Sequence, residues 1–120
     1  MIERELAKIE IENEDKLLRG VHPQFIKETG KISSGVFRQR DPHLSVDAEK
    51  LTTFEFFFRR HPVSVEIARI ITGYVRQLNL EVYHEPLVDN PAHTIIDGTI
   101  TKTIARKLAD SAEKIPCNHY

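Results

Sequence analysis

The feature that most constrains the fold is the stretch DNPAHTIIDG at residues 89–98, where a polar turn leads directly into a short apolar run. Pro91 is not tolerated inside a helix, and an aspartate followed by Gly98 is a common turn pair. The apolar run between them therefore has the length of a strand, and His93 opens it. Because rigid sheet edges often present functional loops, we expect residues 89–93 to form part of a site.

Short apolar runs separated by proline and glycine predict several strands and helices along the chain. The predicted strands span residues 16–21, 36–38, 44–46, 80–84 and 93–96. The predicted helices span residues 53–60, 63–78 and 102–114. A further helix is predicted within residues 2–15 and breaks near Asn13, although residues 9–12 also alternate like a strand. This alternation predicts a single α+β domain over residues 1–120, with a mixed, short-stranded sheet packed against a central amphipathic helix and a C-terminal helix. The strand order is not readable from the sequence.

Two of these helices have the clearest local signals. Thr52 and Glu55 have the spacing of a capping box, which predicts a helix that begins near Thr53 and exposes Arg59 and Arg60. The same helix is expected to bury Phe54, Phe57 and Phe58. Residues 63–78 have apolar side chains at helical spacing, so they are predicted to form the central core helix.

Composition excludes some classes of protein. The formal net charge is −1 over 120 residues, and the basic residues that exceed the acidic ones in 19–62 are too few for a dedicated nucleic-acid binder. The lone Cys117 excludes an intrachain disulfide and a cysteine-based metal site. The charged N-terminus and the absence of a long apolar window predict a cytoplasmic protein without a membrane span. Neither a cofactor nor an oligomeric state is indicated.

Arg19 stands among apolar neighbours in the predicted strand 16–21. A guanidinium in such a strand needs a counter-ion, an aromatic surface or a bound anion. The structural alternative is a salt bridge with Asp47, Glu49 or an N-terminal glutamate. The functional interpretation is that Arg19 faces a site that binds an anion.

A phosphate-binding surface is a second possibility. The turn at residues 30–35, GKISSG, has backbone donors and hydroxyls that suit a phosphate, but it lacks the spacing of a P-loop. It becomes a site only if it converges with nearby arginines, which are Arg38, Arg40, Arg59 and Arg60. An ordinary serine turn beside a solvated basic face is equally consistent with the sequence.

Two catalytic patterns are poorly matched. His84, Glu85, Asp89 and His93 lie within ten residues, but their spacing fits no usual metal motif, so no metal site is predicted. His93 is a candidate general base, but Ser34, Ser45 and Thr94 qualify as its nucleophile only by carrying hydroxyls.

Several segments resemble a small bacterial family to which we attach no settled activity. They are LLR at 17–19, SSGVF at 33–37, LSVD at 44–47 and DNPAH at 89–93. A fainter likeness is to the ADP-ribosyltransferase superfamily, which holds a nicotinamide dinucleotide with an early-strand Arg, a Ser-bearing strand and a later Glu. That likeness implies the first two roles for Arg19 and Ser45. The third role is unmatched, because neither Glu81 nor Glu85 lies in a recognisable catalytic loop.

The leading prediction is a domain that binds a phosphate-bearing ligand, either a nucleotide or a nucleic acid. Its predicted ligand-binding residues are Arg19, Ser34, Arg38 and Ser45, with Asp89, Asn90 and His93 on the rim. One alternative is a protein-interaction module of a toxin–antitoxin or immunity type, suggested by the small size, the acidic N-terminal segment and the Phe-rich helix 53–60. The other is an ADP-ribosyltransferase-like enzyme. An exposed Phe stripe favours the module, whereas a buried stripe beside one cleft favours the ligand-binding domain.

Overall fold

The chain folds around a six-stranded sheet in which every pair of neighbouring strands is antiparallel. The computed structural model describes residues 6–38 and 41–118. The strands are β1 (Lys16–Val21), β2 (His43–Ala48), β3 (Glu66–Ile71), β4 (Glu81–His84), β5 (His93–Asp97) and β6 (Glu113–Pro116). Their order across the sheet is β4-β5-β2-β1-β3-β6.

Helices cover both faces of this sheet. The helices are α1 (Phe54–Arg60), α2 (Thr72–Gln77) and α3 (Lys102–Ser111), and short 3-10 turns occupy Pro23–Phe25, Ser34–Phe37 and Glu49–Leu51. On one face α3 and the turn Ser34–Phe37 enclose the larger core, which includes Leu17 and Val21 of β1. On the other face α1 packs Phe57 and Phe58 against Leu18 and Ile67. The two faces of β1 therefore serve two separate cores.

The α+β class is confirmed, and the sheet is antiparallel throughout rather than mixed. The predicted central helix 63–78 is wrong, because most of its apolar residues form β3 and only Thr72–Gln77 is helical. Ile67 belongs to the smaller core, whereas Ala68 and Ile70 belong to the larger one. A strand that is buried on both faces has a continuous apolar run, which helical periodicity fits equally well.

The other strand predictions are mostly confirmed. The strand at 16–21 matches β1, and those at 44–46, 80–84 and 93–96 match β2, β4 and β5 within two residues. The strand at 36–38 is wrong, because the Ser33 hydroxyl accepts a hydrogen bond from the Gly35 N–H and begins a 3-10 turn there.

The helix predictions are confirmed at two places. Thr53 caps α1 by accepting a hydrogen bond from the Phe56 N–H, so the cap lies one residue later than the capping-box spacing implied. The predicted helix 102–114 ends at Ser111 in α3, and the chain then adds β6 to the edge of β3.

The N-terminal helix prediction is wrong for the part of 2–15 that the structure describes. Residues 6–12 are neither helix nor strand, and residues 1–5 lie outside the described residues. The Ile9 N–H donates to His84 Nδ1 and Ile11 is buried in the larger core, so this segment is held by the rest of the fold rather than by its own helical bonds. Among the described residues, no helix has the length and apolarity needed to cross a membrane.

Leu108 tests this packing, because it is fully buried where α3 meets the larger core. We expect Leu108→Ala to lower the free energy of unfolding by about 2–5 kcal/mol, measured by urea denaturation. Lys107→Ala is the matched control, since Lys107 is exposed on the same helix and should change stability by less than about 0.5 kcal/mol. Equal effects of the two substitutions would contradict the assigned face of α3.

Candidate functional site

The candidate site begins where β1 and β2 separate. These neighbouring strands pair only through Leu17 with Ala48 and Leu18 with Asp47. Beyond that point, residues 19–21 pair with β3, and residues 43–46 pair with β5. The sheet is therefore split along the remaining length of β1 and β2, and side chains can enter the gap from both faces.

A cleft of about 500 Å³ lies at this split. Its volume is in the range of small-ligand sites. Strand residues Leu18, Gly20, Ser45 and Asp47 line it. Aromatic walls are supplied by Phe25 and by Phe57 with His61, while Asn90 and His93 contribute from the loop that precedes β5 and from its first residue.

Arg19 spans the split. Its Nε donates to the Val36 carbonyl at 3.0 Å, and its Nη1 donates to the Ser45 carbonyl at 2.8 Å. Nη2 has no hydrogen-bond partner among the described residues, and no described carboxylate forms an ion pair with this guanidinium. Burial lowers the pKa of Arg19 from its ordinary value, although an arginine remains charged at neutral pH.

The salt bridges proposed for Arg19 from the sequence are not formed by the described candidates. Glu49 pairs with Arg69 at 2.7 Å, and Asp47 accepts from Asn90. The N-terminal glutamates Glu3 and Glu5 lie outside the described residues. Arg19 is therefore a half-buried cation whose described partners are neutral carbonyls.

Ser45 and His93 form a hydrogen-bonded pair in the cleft lining. His93 Nε2 lies 3.1 Å from Ser45 Oγ, and His93 Nδ1 lies 2.8 Å from the Glu85 carbonyl. A carbonyl only accepts, so Nδ1 carries the proton in the neutral imidazole and Nε2 accepts from the Ser45 hydroxyl. This geometry orients the hydroxyl and makes His93 a possible base for it.

Asp47 and Asn90 form a buried polar pair in the same cleft, where Asp47 is the strand partner of His93. Their side chains are linked by Asn90 Nδ2 donating to Asp47 Oδ1 at 2.9 Å. Asp47 Oδ2 and Asn90 Oδ1 have no hydrogen-bond partner among the described residues. A buried acceptor without a partner costs roughly 1–3 kcal/mol, so this arrangement is expensive for the fold.

The structure brings five of the seven predicted ligand-binding residues to one cleft. These five are Arg19, Arg38, Ser45, Asn90 and His93. Ser34 does not line it, although the neighbouring Gly35 and Val36 do. Asp89 is exposed outside the cleft and accepts from Arg60 Nη1 through its carbonyl and its carboxylate.

The other arginines of the predicted phosphate surface do not lie together. Arg60 lines the cleft and is half-buried, so the expectation that it is exposed is wrong. Its bond to Asp89 ties the end of α1 to the loop before β5, which explains the burial. Arg59 is exposed and pairs with Glu55 on α1, and Arg40 lies outside the described residues.

His84 has a structural role. Its Nδ1 accepts from the Ile9 N–H at 3.0 Å, and its Nε2 lies 2.7 Å from the Pro91 carbonyl, to which it donates. Both ring nitrogens are therefore used. No group of three or more potential metal-binding side chains occurs within 6–38 and 41–118.

The sequence reasoning missed Gly20, Asp47, His61 and Ser64 as cleft residues. A Cβ on Gly20 would lie 2.3 Å from Ser64 Oγ, so only glycine leaves room for that hydroxyl. The sequence did indicate Asp47, since it lies two residues after Ser45 and strand alternation places both side chains on one face of β2.

No protein-family model, curated protein or solved structure shows significant similarity to the chain. The resemblances drawn from the sequence therefore stay predictions. The ligand of the cleft is therefore inferred from the residues that line it.

The neutral tautomers of His84 and His93 test the assigned hydrogen bonds in a single NMR spectrum. We expect neutral His93 to be the Nδ1–H tautomer and neutral His84 to be the Nε2–H tautomer, because each of those nitrogens faces a carbonyl. Long-range proton–nitrogen NMR correlations distinguish the two forms, and Ser45→Ala should shift the Nε2 resonance of His93 alone. Finding the Nε2–H tautomer at His93 would contradict the bond from His93 Nδ1 to the Glu85 carbonyl.

Proposed function

We propose that the protein binds a phosphate-bearing ligand of the nucleotide class in the cleft between β1 and β2. The observation that carries this proposal is Arg19, a half-buried guanidinium with a free Nη2 and no carboxylate partner among the described residues. A desolvated cation of this kind is stabilised by an anion, and a guanidinium fork matches phosphate oxygens.

The surroundings of Arg19 support a nucleotide rather than a small inorganic anion. Arg38 adds a second positive charge on the same cleft, and Phe25 supplies an aromatic wall against Gly35. A Cβ on Gly35 would lie 2.7 Å from the Phe25 ring, so the glycine allows this close packing. A base can stack on such a ring while its phosphate reaches the arginines.

The Phe-rich helix α1 gives less support to a protein-interaction module. Phe57 and Phe58 are buried against Leu18 and Ile67, and Phe54 is half-buried. These Phe side chains therefore pack inside the fold, which favours a ligand-binding domain over a toxin–antitoxin or immunity partner. We also infer a cytoplasmic location, because a single cysteine, Cys117, suits a reducing compartment.

Replacing Arg19 tests the proposed function. We expect Arg19→Gln to weaken binding of pyrophosphate and of ADP by about tenfold or more in isothermal titration calorimetry, because a hydrogen bond to a charged group contributes roughly 1.5–3 kcal/mol. Arg106→Gln, an exposed position on α3, is the matched control and should bind as wild type does.

Two further measurements separate binding from folding. Thermal unfolding should remain cooperative in Arg19→Gln, and Arg38→Gln should weaken binding without affecting the fold, since Arg38 is exposed. If a folded Arg19→Gln protein bound pyrophosphate as tightly as wild type, the assignment of Arg19 would be wrong.

A second candidate function is that of an ADP-ribosyltransferase-like enzyme. The observation that favours it is the convergence of Arg19 and Ser45, the two residues to which the likeness assigned roles, with Nη1 bonded to the Ser45 carbonyl at 2.8 Å. Neither Glu81 nor Glu85 lines the cleft, and Asp47 is the acidic side chain that does. An enzyme of this kind would have to use Asp47, or a group outside the described residues, in the role of the missing glutamate.

This candidate predicts that the protein cleaves the bond between ribose and nicotinamide in a nicotinamide dinucleotide. Nicotinamide release, followed by chromatography, should occur with wild type and fall at least about tenfold in Asp47→Asn and in Ser45→Ala. Binding of the dinucleotide without release would reject the enzyme and leave the ligand-binding function in place.

A further inference from the structure

Unpartnered polar atoms are concentrated in the cleft. Six buried side-chain atoms of the described residues lack a hydrogen-bond partner, and four of them belong to residues that line it. Those four are Asp47 Oδ2, Arg60 Nε, Ser64 Oγ and Asn90 Oδ1. Such atoms are uncommon in folded proteins, and a cluster of them at one cleft indicates a binding surface.

Asp47 and Asn90 leave two free acceptors on one linked pair. Asp47 is 4% exposed and Asn90 is 2% exposed, and the bond between them fixes both side chains. A carboxylate oxygen and an amide oxygen accept hydrogen bonds and cannot donate them. This linked pair therefore suits a ligand group that carries two neighbouring O–H donors.

We propose that Asp47 and Asn90 bind the 2′,3′-diol of a ribose, so that the ligand of the cleft is a ribonucleotide. The inference rests on the proposed function, because it takes the phosphate to lie at Arg19. Two vicinal hydroxyls match the two free acceptors of this linked pair, with the Ser64 hydroxyl able to accept or donate a third bond. A divalent cation is disfavoured, since it requires about six oxygen ligands.

The spacing along β2 agrees with this assignment. Arg19 is anchored on the Ser45 carbonyl, and Asp47 lies two residues farther along the strand on the same face as the Ser45 side chain. Two strand residues span about 7 Å. That is comparable to the separation between the 5′-phosphate and the 2′,3′-hydroxyls of a nucleotide.

His61 lies beside the Asp47 carboxylate. Its Nε2 lies 3.8 Å from Asp47 Oδ2, too far for a hydrogen bond, and its ring stacks on Phe57 with centroids 4.3 Å apart. The His61 side chain is 38% exposed and follows the last turn of α1. We expect rotation of this side chain to uncover Asp47 Oδ2 for a ligand hydroxyl.

The test compares ligands that differ only in the diol. With the wild-type protein, calorimetry should show ADP binding about tenfold or more tightly than 2′,3′-dideoxy-ADP, because the analogue leaves both acceptors unpaired. This comparison needs no variant. Pyrophosphate is titrated in parallel as the probe of the Arg19 end alone.

The Asp47→Asn substitution tests whether Asp47 causes the preference for ADP over the dideoxy analogue. The substitution keeps an oxygen for Asn90 and replaces the free acceptor with an NH2 donor, so preference for ADP over the dideoxy analogue should fall to about twofold or less. Pyrophosphate binding should be retained or strengthened, because a negative charge leaves the cleft. Asp110→Asn, at an exposed position on α3, is the matched control and should keep the wild-type preference.

The outcomes separate the two proposals. Equal wild-type affinity for ADP and its dideoxy analogue, with pyrophosphate bound, would overturn the diol site and leave the phosphate site standing. An undiminished preference for ADP in Asp47→Asn would also overturn it. Failure of wild type to bind pyrophosphate or either nucleotide would overturn the proposed function and the diol site together.

Discussion

The site depends on the short ladder between β1 and β2, where only Leu17 with Ala48 and Leu18 with Asp47 are paired. Each strand has a complete ladder on its other side, so the sheet stays intact while its centre opens. Unpaired backbone groups inside a protein must find other partners. Arg19 supplies one for the Ser45 carbonyl, and this places a guanidinium inside the split.

The cleft then has two chemically different sets of side chains. Arg19, Arg38 and Arg60 supply positive charge, while Asp47 and Asn90 supply hydrogen-bond acceptors. Opposite polarity within one cleft suits a ligand that has an anionic group and a hydroxyl-bearing group joined by a short link. A nucleotide is such a ligand, and the aromatic walls suit its base.

Part of this site was predictable from the sequence. Arg19 was predictable because a charge among apolar strand residues is costly, and Ser45 and His93 belong to short apolar segments that were predicted as strands. Asp47 shared the strand face of Ser45, but its place in the cleft depends on how β1 and β2 separate. Ser64 had no comparable signal, because it lies between α1 and β3 and reaches the cleft only through the fold. The helix predicted over β3 is wrong for a related reason. Ile67 and Ile70 face opposite cores, so both faces of the strand are apolar and the sequence lacks the polar–apolar alternation that identifies a strand.

The central claim is that a phosphate binds the free Nη2 of Arg19. A crystal structure of the protein with ADP tests it most directly. We expect a phosphate oxygen within hydrogen-bond distance of Nη2, with the Nε and Nη1 bonds to Val36 and Ser45 unchanged. A phosphate bound elsewhere, with Arg19 Nη2 facing solvent or a carboxylate of the chain, would contradict the account.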